Sequence, residues 1–566
     1  MFSRWTGLIL AGLLLLTVAP LAAAPAPPTG DHWVVRATFT ERDQVNRLAA
    51  YTEPWEVHYD QGYLIVDVDR AGWQVLLDLG FVPEVDVVRT EEALHPAARL
   101  LGQGTDSIPG YPCYRTVEET FASAQAIVAA HPTLASWTDI GDSWEKINPG
   151  GPYPGYDIMV LKLTNSAIPG PKPKLLINST IHAREYTTAE LVTRFGEYLV
   201  NQYGIDADAT WMLDTQEIHL ILQSNPDGRK RAEAGILWRK NADNNFCANT
   251  NSRGIDLNRN FPGQAPYGWN CCGGSSGSAC SDTFHGPGPG SEPETQAVRD
   301  YMAAIFPDYG DPGGGNPIQA DAAGLFIDVH SYSQLVLWPW GGTTTPAPFP
   351  NNLELQTLGR KFAYFNNYLP EQSIYLYATD GTTIDHLYGT QGVSSYTFEL
   401  GTNFFQDCPT FLNTILPTNM NALIYAARTT RAPYMLPAGP EALNVATVPP
   451  GSVNSGAPLD VNATLNDTRY SNVNGSEPVQ NIAAGEVYVD TPPWAPGAVA
   501  VAMVPVDGSF NTPIEAATTT LSTVGWTVGR HILFVRGRDA ANNWGTVGAV
   551  FIDVIVPVEL QGFVVE

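Results

Sequence analysis

The chain has 566 residues, 57 acidic against 30 basic side chains, a formal charge of −27 and a pI near 4.6. Such an acidic surface excludes nucleic acid as a partner, because phosphate binding needs basic patches. A chain of this length exceeds what one hydrophobic core organises, and 44% hydrophobic residues with 45 Pro and 52 Gly point to a loop-rich α/β and β protein rather than a helical bundle.

In chain order, Arg4 precedes an apolar run over 8–18, and Ala22, Ala23 and Ala24 offer a small-residue cleavage site. This reads as a signal peptide over 1–24, and predicts a secreted, extracellular protein. The run is shorter than the roughly 20 residues needed to cross a bilayer, and no later segment is long and apolar enough, so no membrane span is expected. Six cysteines fit an oxidising compartment. Four of them crowd between Cys247 and Cys280 without CxxC spacing, which favours disulfides pinning a surface loop over a zinc knuckle, with the pairing left open.

Strand-like stretches at 34–39 and 62–68 alternate with helix-like stretches at 43–51 and 71–79, predicting a small α/β domain over 25–104 that ends in a polar linker. Over 105–432 the pattern becomes apolar run, turn, amphipathic helix. Strands are expected at 175–181, 218–222, 325–329 and 396–400, and Leu191, Val192, Phe195 and Leu199 recur at helical spacing. The predicted class is α/β, a mixed, mostly parallel sheet flanked by helices, whose sites gather at the carboxyl ends of the strands. Residues 433–457, with Pro449, Pro450 and Gly451, read as a linker. Short strands at 486–490, 498–504 and 531–535 then predict an immunoglobulin-like β-sandwich over 458–566, an accessory module without a cluster of catalytic residue types.

The chemistry concentrates at predicted strand ends. His182 and Glu185 stand three apart where the strand at 175–181 finishes, and His330 ends the apolar run Phe326-Ile327-Asp328-Val329. Two His and one Glu leave a fourth zinc position open, as a catalytic site requires. Glu399 closes the apolar stretch Tyr396-Thr397-Phe398, where a carboxylate needs a partner or a purpose.

Six segments, in order, carry a resemblance: His182-Ala183-Arg184-Glu185, Asn225-Pro226-Asp227-Gly228, Trp238-Arg239, Asp256-Leu257-Asn258-Arg259-Asn260, His330-Ser331-Tyr332 and Phe398-Glu399-Leu400. Over roughly 111–431 the chain resembles the pancreatic-type zinc carboxypeptidases. The resemblance implies a secreted metallocarboxypeptidase that hydrolyses the C-terminal bond of peptides and proteins, with one Zn2+ held by His182, Glu185 and His330. It also implies that Glu399 is the general base acting on a zinc-bound water and that Arg239 faces the oxyanion. Asn258 and Arg259 would take the substrate carboxylate, Tyr377 would close over the substrate, and Arg184 and Tyr332 would contact it further out. Asp256 would orient His182. Ile384 would lie at the base of the pocket for the C-terminal side chain, favouring hydrophobic or aromatic residues, with Asp380 nearby.

By the same resemblance the N-terminal domain is a propeptide that covers the site until an activating protease cuts, with Arg99 the candidate position. Two features depart from the pancreatic pattern: Ile236 replaces a second Arg on the substrate path, and Cys271-Cys272-Gly273-Gly274 suggests an extra disulfide. Two other readings compete. A peptidase of cell-wall peptides would use the β-domain as its anchor, whereas a non-catalytic binding protein would have no need of Glu399, Arg239 and three metal ligands together.

Overall fold

Strands buried on both faces carry short apolar stretches here, as in Leu325-Phe326-Ile327, whereas half-exposed strands alternate. The computed structural model describes residues 30–94, 107–249, 252–264, 267–342 and 349–556. The expected signal peptide over 1–24 and Arg99 lie outside the described residues.

The first sheet has four strands, β1 (His32–Thr38), β2 (Pro54–His58), β3 (Tyr63–Asp69) and β4 (Val82–Val85), in the order β2-β3-β1-β4. All three of its pairings are antiparallel. Two helices, Arg42–Ala49 and Arg70–Asp78, pack Val45, Leu48, Trp73 and Leu76 against its buried Val35, Leu64 and Val66.

The second sheet holds β5 (Ala135–Asp142), β6 (Asp157–Leu163), β7 (Lys174–Ser179), β8 (Glu217–Ile221), β9 (Leu325–His330), β10 (Leu335–Trp338), β11 (Leu369–Gln372) and β12 (Ser394–Glu399). Their order is β11-β10-β12-β9-β7-β8-β6-β5. The middle strands β12, β9, β7 and β8 run parallel, while β6 and β5 add antiparallel at one side and β10 joins β12 antiparallel at the other. This is the mixed sheet flanked by helices that the sequence pattern predicted. β9, LFIDVH, is buried at every position. The helix Tyr186–Gln202 buries Leu191, Val192, Phe195 and Leu199 on the sheet. It comes so close at Gly196 that a Cβ there would stand 3.0 Å from Leu220.

The third group, β13 (Glu441–Val448), β14 (Ser452–Asn454), β15 (Pro458–Asn466), β16 (Ile482–Val489), β17 (Val501–Pro505), β18 (Ile514–Ser522), β19 (Gly529–Asp539) and β20 (Gly548–Ile555), is β-rich throughout. β17 pairs with both β16 and β18 and so joins β13-β15-β18 to β16-β19-β20-β14 in one eight-stranded order. Strand β13 lies inside the stretch 433–457 read above as a linker, and it pairs with β15. The Pro-Gly signal at 449–451 marks only the turn between β13 and β14.

All six cysteines are bridged, as Cys113–Cys408, Cys247–Cys280 and Cys271–Cys272. No helix among the described residues is long and apolar enough to cross a membrane.

Candidate active site

Three neighbouring parallel strands, β7, β9 and β12, end on the same edge of the central sheet, where an open α/β sheet collects its ligands. Beyond β7 the chain breaks from the strand at Thr180, whose φ of 59° lies in the left-handed region. That bend carries His182 and Glu185 over the sheet edge. β9 ends at His330 and β12 at Glu399, and these two residues are paired in register. Strand geometry therefore brings together residues more than two hundred positions apart in sequence.

One ligand atom from each of His182, Glu185 and His330 lies within 4.8 Å of the others. His182 Nδ1 is 2.8 Å from Glu185 Oε1 and 3.1 Å from His330 Nδ1. Each imidazole turns its other nitrogen to a buried carboxylate: His182 Nε2 to Asp256 Oδ1 at 3.1 Å, and His330 Nε2 to Asp328 Oδ2 at 3.0 Å. Carboxylate–histidine pairs of this kind fix the tautomer and ring orientation of metal-bound histidines. The donor set, two imidazoles and one carboxylate with both rings backed by carboxylates, fits a zinc ion. Burial alone would raise the Glu185 carboxyl, but His182 and His330 outweigh it and hold the group down to about 2. Asp256 is likewise held well below the usual range, Arg239 and His182 overcoming its burial.

Around this centre stand the other residues singled out in the sequence. Arg239 donates from Nε and Nη2 to Asp256 Oδ2, at 3.1 and 2.8 Å. Asn258 Nδ2 reaches His330 Nε2 at 3.3 Å, and Asn258 Oδ1 accepts from the Thr383 amide at 2.9 Å. Arg259 donates from Nε to Gly274 O at 3.1 Å and from Nη1 to Asn258 O at 2.8 Å. For Glu399, burial pushes the carboxyl up to about 8, with His330 pulling the other way. Ile384 is buried in an apolar cluster that includes Ile181, Leu257 and Phe261.

A family model described as zinc carboxypeptidase matches residues 121–422. The chain belongs to the zinc carboxypeptidase family. As a zinc carboxypeptidase it is a hydrolase of zinc-dependent chemistry, and the substrates of that class are peptides. Carboxypeptidase A1 of Mus musculus is 31% identical over 424 residues, covering 69% of this chain and 90% of that protein. Carboxypeptidase A1 of Homo sapiens is 33% identical over 316 residues, or 54% of this chain and 66% of that protein. The crystal structure of the carboxypeptidase A from Helicoverpa armigera shares the fold, with a TM-score of 0.54 at 23% identity over 71% of this chain and 98% of that one.

The N-terminal sheet sits directly on this carboxypeptidase site. Glu53 forms ion pairs with both Arg184 and Arg239. Tyr332 donates its hydroxyl to Glu56 Oε1 at 3.1 Å. Tyr377 is buried within the apolar cluster of the N-terminal domain, beside Trp33, Val35 and Phe81. The segment just before and after it is also gripped: Arg42 donates to Ile374 O, Tyr59 to Leu376 O at 2.6 Å, and the Ala378 amide to Asn46 Oδ1 at 3.0 Å.

Sequence reasoning missed Glu53 and Asp328. Asp328 left a signal, since it lies two residues before His330 on one strand and so shares its face. Glu53 left none, because nothing local links it to Arg239. His219 and His285 are satisfied away from this centre, His219 by Tyr301 and Glu217 and His285 by the Gly286 carbonyl.

Proposed function

We propose that the chain is a secreted carboxypeptidase made as a zymogen, in which His182, Glu185 and His330 hold one zinc ion and Glu399 is the general base. The observation that carries this reading is the convergence of those three donors at one sheet edge with Glu399 in register beside His330. Zinc, when bound, supplies Lewis acidity that polarises a carbonyl oxygen and acidifies water. Glu399 takes the proton from the attacking water and delivers it to the leaving amine, a contribution of roughly 10²- to 10⁴-fold. Arg239, oriented by Asp256, donates to the oxyanion that forms on the scissile carbonyl. Asn258 and Arg259 receive the substrate's terminal carboxylate, for which a planar guanidinium fork beside an amide is well matched. Arg184 and Tyr332 contact the peptide further from the cut, and Tyr377 closes over it.

For side-chain preference, apolar Ile384 supports hydrophobic or aromatic C-terminal residues, since a hydrocarbon wall disfavours an unpaired charge. Asp380 is directed elsewhere: its Oδ2 accepts from the amides of Cys272 and Gly274. The N-terminal domain is the inhibitory propeptide. Glu53 sets a carboxylate between the two arginines a substrate would need, and the propeptide's apolar cluster packs against Tyr377, whose hydroxyl stays close to Glu53, Arg259 and Arg239. Cleavage between the described segments 30–94 and 107–249, by a separate protease, releases both.

The deciding experiment measures release of C-terminal Phe and of C-terminal Arg from blocked dipeptides by the chain cut within 95–106, with a zinc chelator and Glu399→Gln as controls. We expect Phe to leave faster than Arg, chelator to abolish release until zinc is restored, and Glu399→Gln to lower kcat at least about 10²-fold. Release that survives the chelator would remove the zinc mechanism, and faster release of Arg would discard the role given to Ile384.

A further inference from the structure

Of the three disulfides, one has no evident stabilising purpose at the scale of the whole fold. Chain-entropy stabilisation grows with the length of the loop a bridge closes. Cys113–Cys408 spans 295 positions and Cys247–Cys280 spans 33, whereas Cys271–Cys272 spans 1. A bridge between adjacent residues closes a small ring through a single peptide unit. Its effect is local: it restricts the backbone of one turn that would otherwise be loose, because Gly273 and Gly274 follow at once.

What this turn touches is specific. Gly274 O accepts from Arg259 Nε at 3.1 Å, and so aims the guanidinium. The amides of Cys272 and Gly274 both donate to Asp380 Oδ2, each at 3.1 Å. Asp380 is fully buried, so a carboxylate away from water depends on those two amides holding their direction. Gly274 lies against the backbone of Thr379 so closely that a Cβ would stand 2.3 Å from its Cα. From there the contacts return to the site: the Phe261 amide donates to Gly381 O at 3.0 Å, and Thr383 N to Asn258 Oδ1 at 2.9 Å. Three segments, 257–261, 271–274 and 379–383, therefore interlock, and the disulfide lies in the one with the most backbone freedom.

We propose that the Cys271–Cys272 disulfide is a positioning element for recognition of the substrate's terminal carboxylate, holding the turn that orients Arg259; this rests on the role given to Arg259 above. The bridge acts through this turn. Its loss loosens the Gly274 carbonyl and lets the Arg259 fork rotate, weakening carboxylate binding while the zinc donors and Glu399 keep their places.

The test uses the full chain cut within 95–106, comparing the unmodified protein with the double variant C271S/C272S. N-acetyl-L-phenylalanine, a product-like carboxylate, serves as the binding probe in calorimetry, alongside KM and kcat on a blocked Phe dipeptide and zinc content by metal analysis. The expected result is a Kd and a KM each weakened by about tenfold, the size of one impaired charge-assisted contact, with kcat within about twofold and one zinc retained. Unchanged Kd and KM, or a fall in kcat at unchanged KM, overturns the proposal. Asp380→Asn supplies a second route that leaves every cysteine in place. It weakens the grip of the two amides, and a smaller rise in KM with the same constancy of kcat is expected; an unaltered KM there also counts against the idea. Zinc binding and hydrolysis by the unmodified cut chain separate failure of this inference from failure of the reading beneath it.

Discussion

The N-terminal sheet and the C-terminal β-sandwich both pack on the carboxypeptidase body, but they do so in opposite ways. The N-terminal unit meets the active site itself, through Glu53 on Arg184 and Arg239 and through hydrogen bonds on either side of Tyr377. The sandwich meets remote helices. There Lys361, fully buried, reaches Glu441 at 3.2 Å and lies 4.0 Å from the centre of the Tyr470 ring. Arg469 pairs with the other oxygen of Glu441 at 2.8 Å, Arg360 with Glu477 at 2.6 Å, and Trp211 packs on Trp494 with centroids 5.5 Å apart. The N-terminal unit covers Arg184, Arg239, Tyr332 and Tyr377, all of them at or beside the candidate site. The sandwich instead supplies the carboxylate, Glu441, that pairs with a lysine fully buried in the intact protein, Lys361. One interface is suited to release and the other to permanence.

The largest effect follows from that last point. Removing one member of a buried ion pair leaves an uncompensated charge, at a cost of about 3–5 kcal/mol. Glu441→Leu, which leaves both Lys361 and Arg469 unpaired, is expected to lower stability in urea by an amount of that order. The double variant with Lys361→Met should recover much of the loss. If Glu441→Leu unfolds at the same urea concentration as the unmodified protein, the sandwich is not held by this pair and the contrast fails.

A smaller change is expected at the other interface, read as activity rather than stability. In the uncut chain, Glu53→Ala frees Arg184 and Arg239 while the grip around Tyr377 persists. We expect basal peptide hydrolysis to rise by about tenfold, as one strong charge-assisted contact would give, but to stay below that of the cut chain. Uncut protein that is already as active as cut protein would show that the N-terminal unit does not inhibit at all.

How much of this was legible beforehand depends on the range of the interaction. Strands β7 and β9 announce themselves through short apolar stretches, Leu175-Leu176-Ile177 and Leu325-Phe326-Ile327, and β12 through Tyr396 and Phe398, with the site residues at or just beyond their ends. Short β2 and β4 carry no such run and were not read. Strand β13 has buried Glu441 and Ala442 followed by alternating exposure, a weak pattern hidden beside Pro449 and Pro450. The disulfide pairing could not be read, since six cysteines allow 15 connectivities. Glu53 was invisible for a deeper reason: its meaning lies in two arginines contributed by distant loops, and only the folded chain brings them together.

The comparison sharpens further under changing pH, because the body has a response of its own. Glu294 is buried behind the sheet, accepting from the Trp144 amide at 2.7 Å and from Asn241 Nδ2 at 3.2 Å. Burial, with Glu292 and Asp227 facing it, raises its carboxyl to about 8 from an ordinary 4.5. The Arg231–Glu145 ion pair stands close by on Asp227, with Arg231 donating to the Asp227 carbonyl. A group whose folded pKa is raised holds its proton in the fold after the unfolded chain has lost it. The contribution is therefore complete below about 4.5 and is lost as pH rises through about 8. Glu56, in the N-terminal unit, has the opposite sign: burial would raise it, yet His58 and Arg89 hold it below its ordinary value. Its stabilising effect is present above that value and is lost in acid. We expect acidification from pH 8 toward 5 to stabilise the body through Glu294, and acidification below about 4.5 to loosen the N-terminal unit as Glu56 takes up its proton. Glu294→Gln should flatten the body's loss between pH 5 and 8 by at least about 1 kcal/mol, measured as Tm across that range on the cut chain. A variant whose pH profile parallels the unmodified protein would place the response elsewhere, with Glu292 and Asp227 as the next groups to replace.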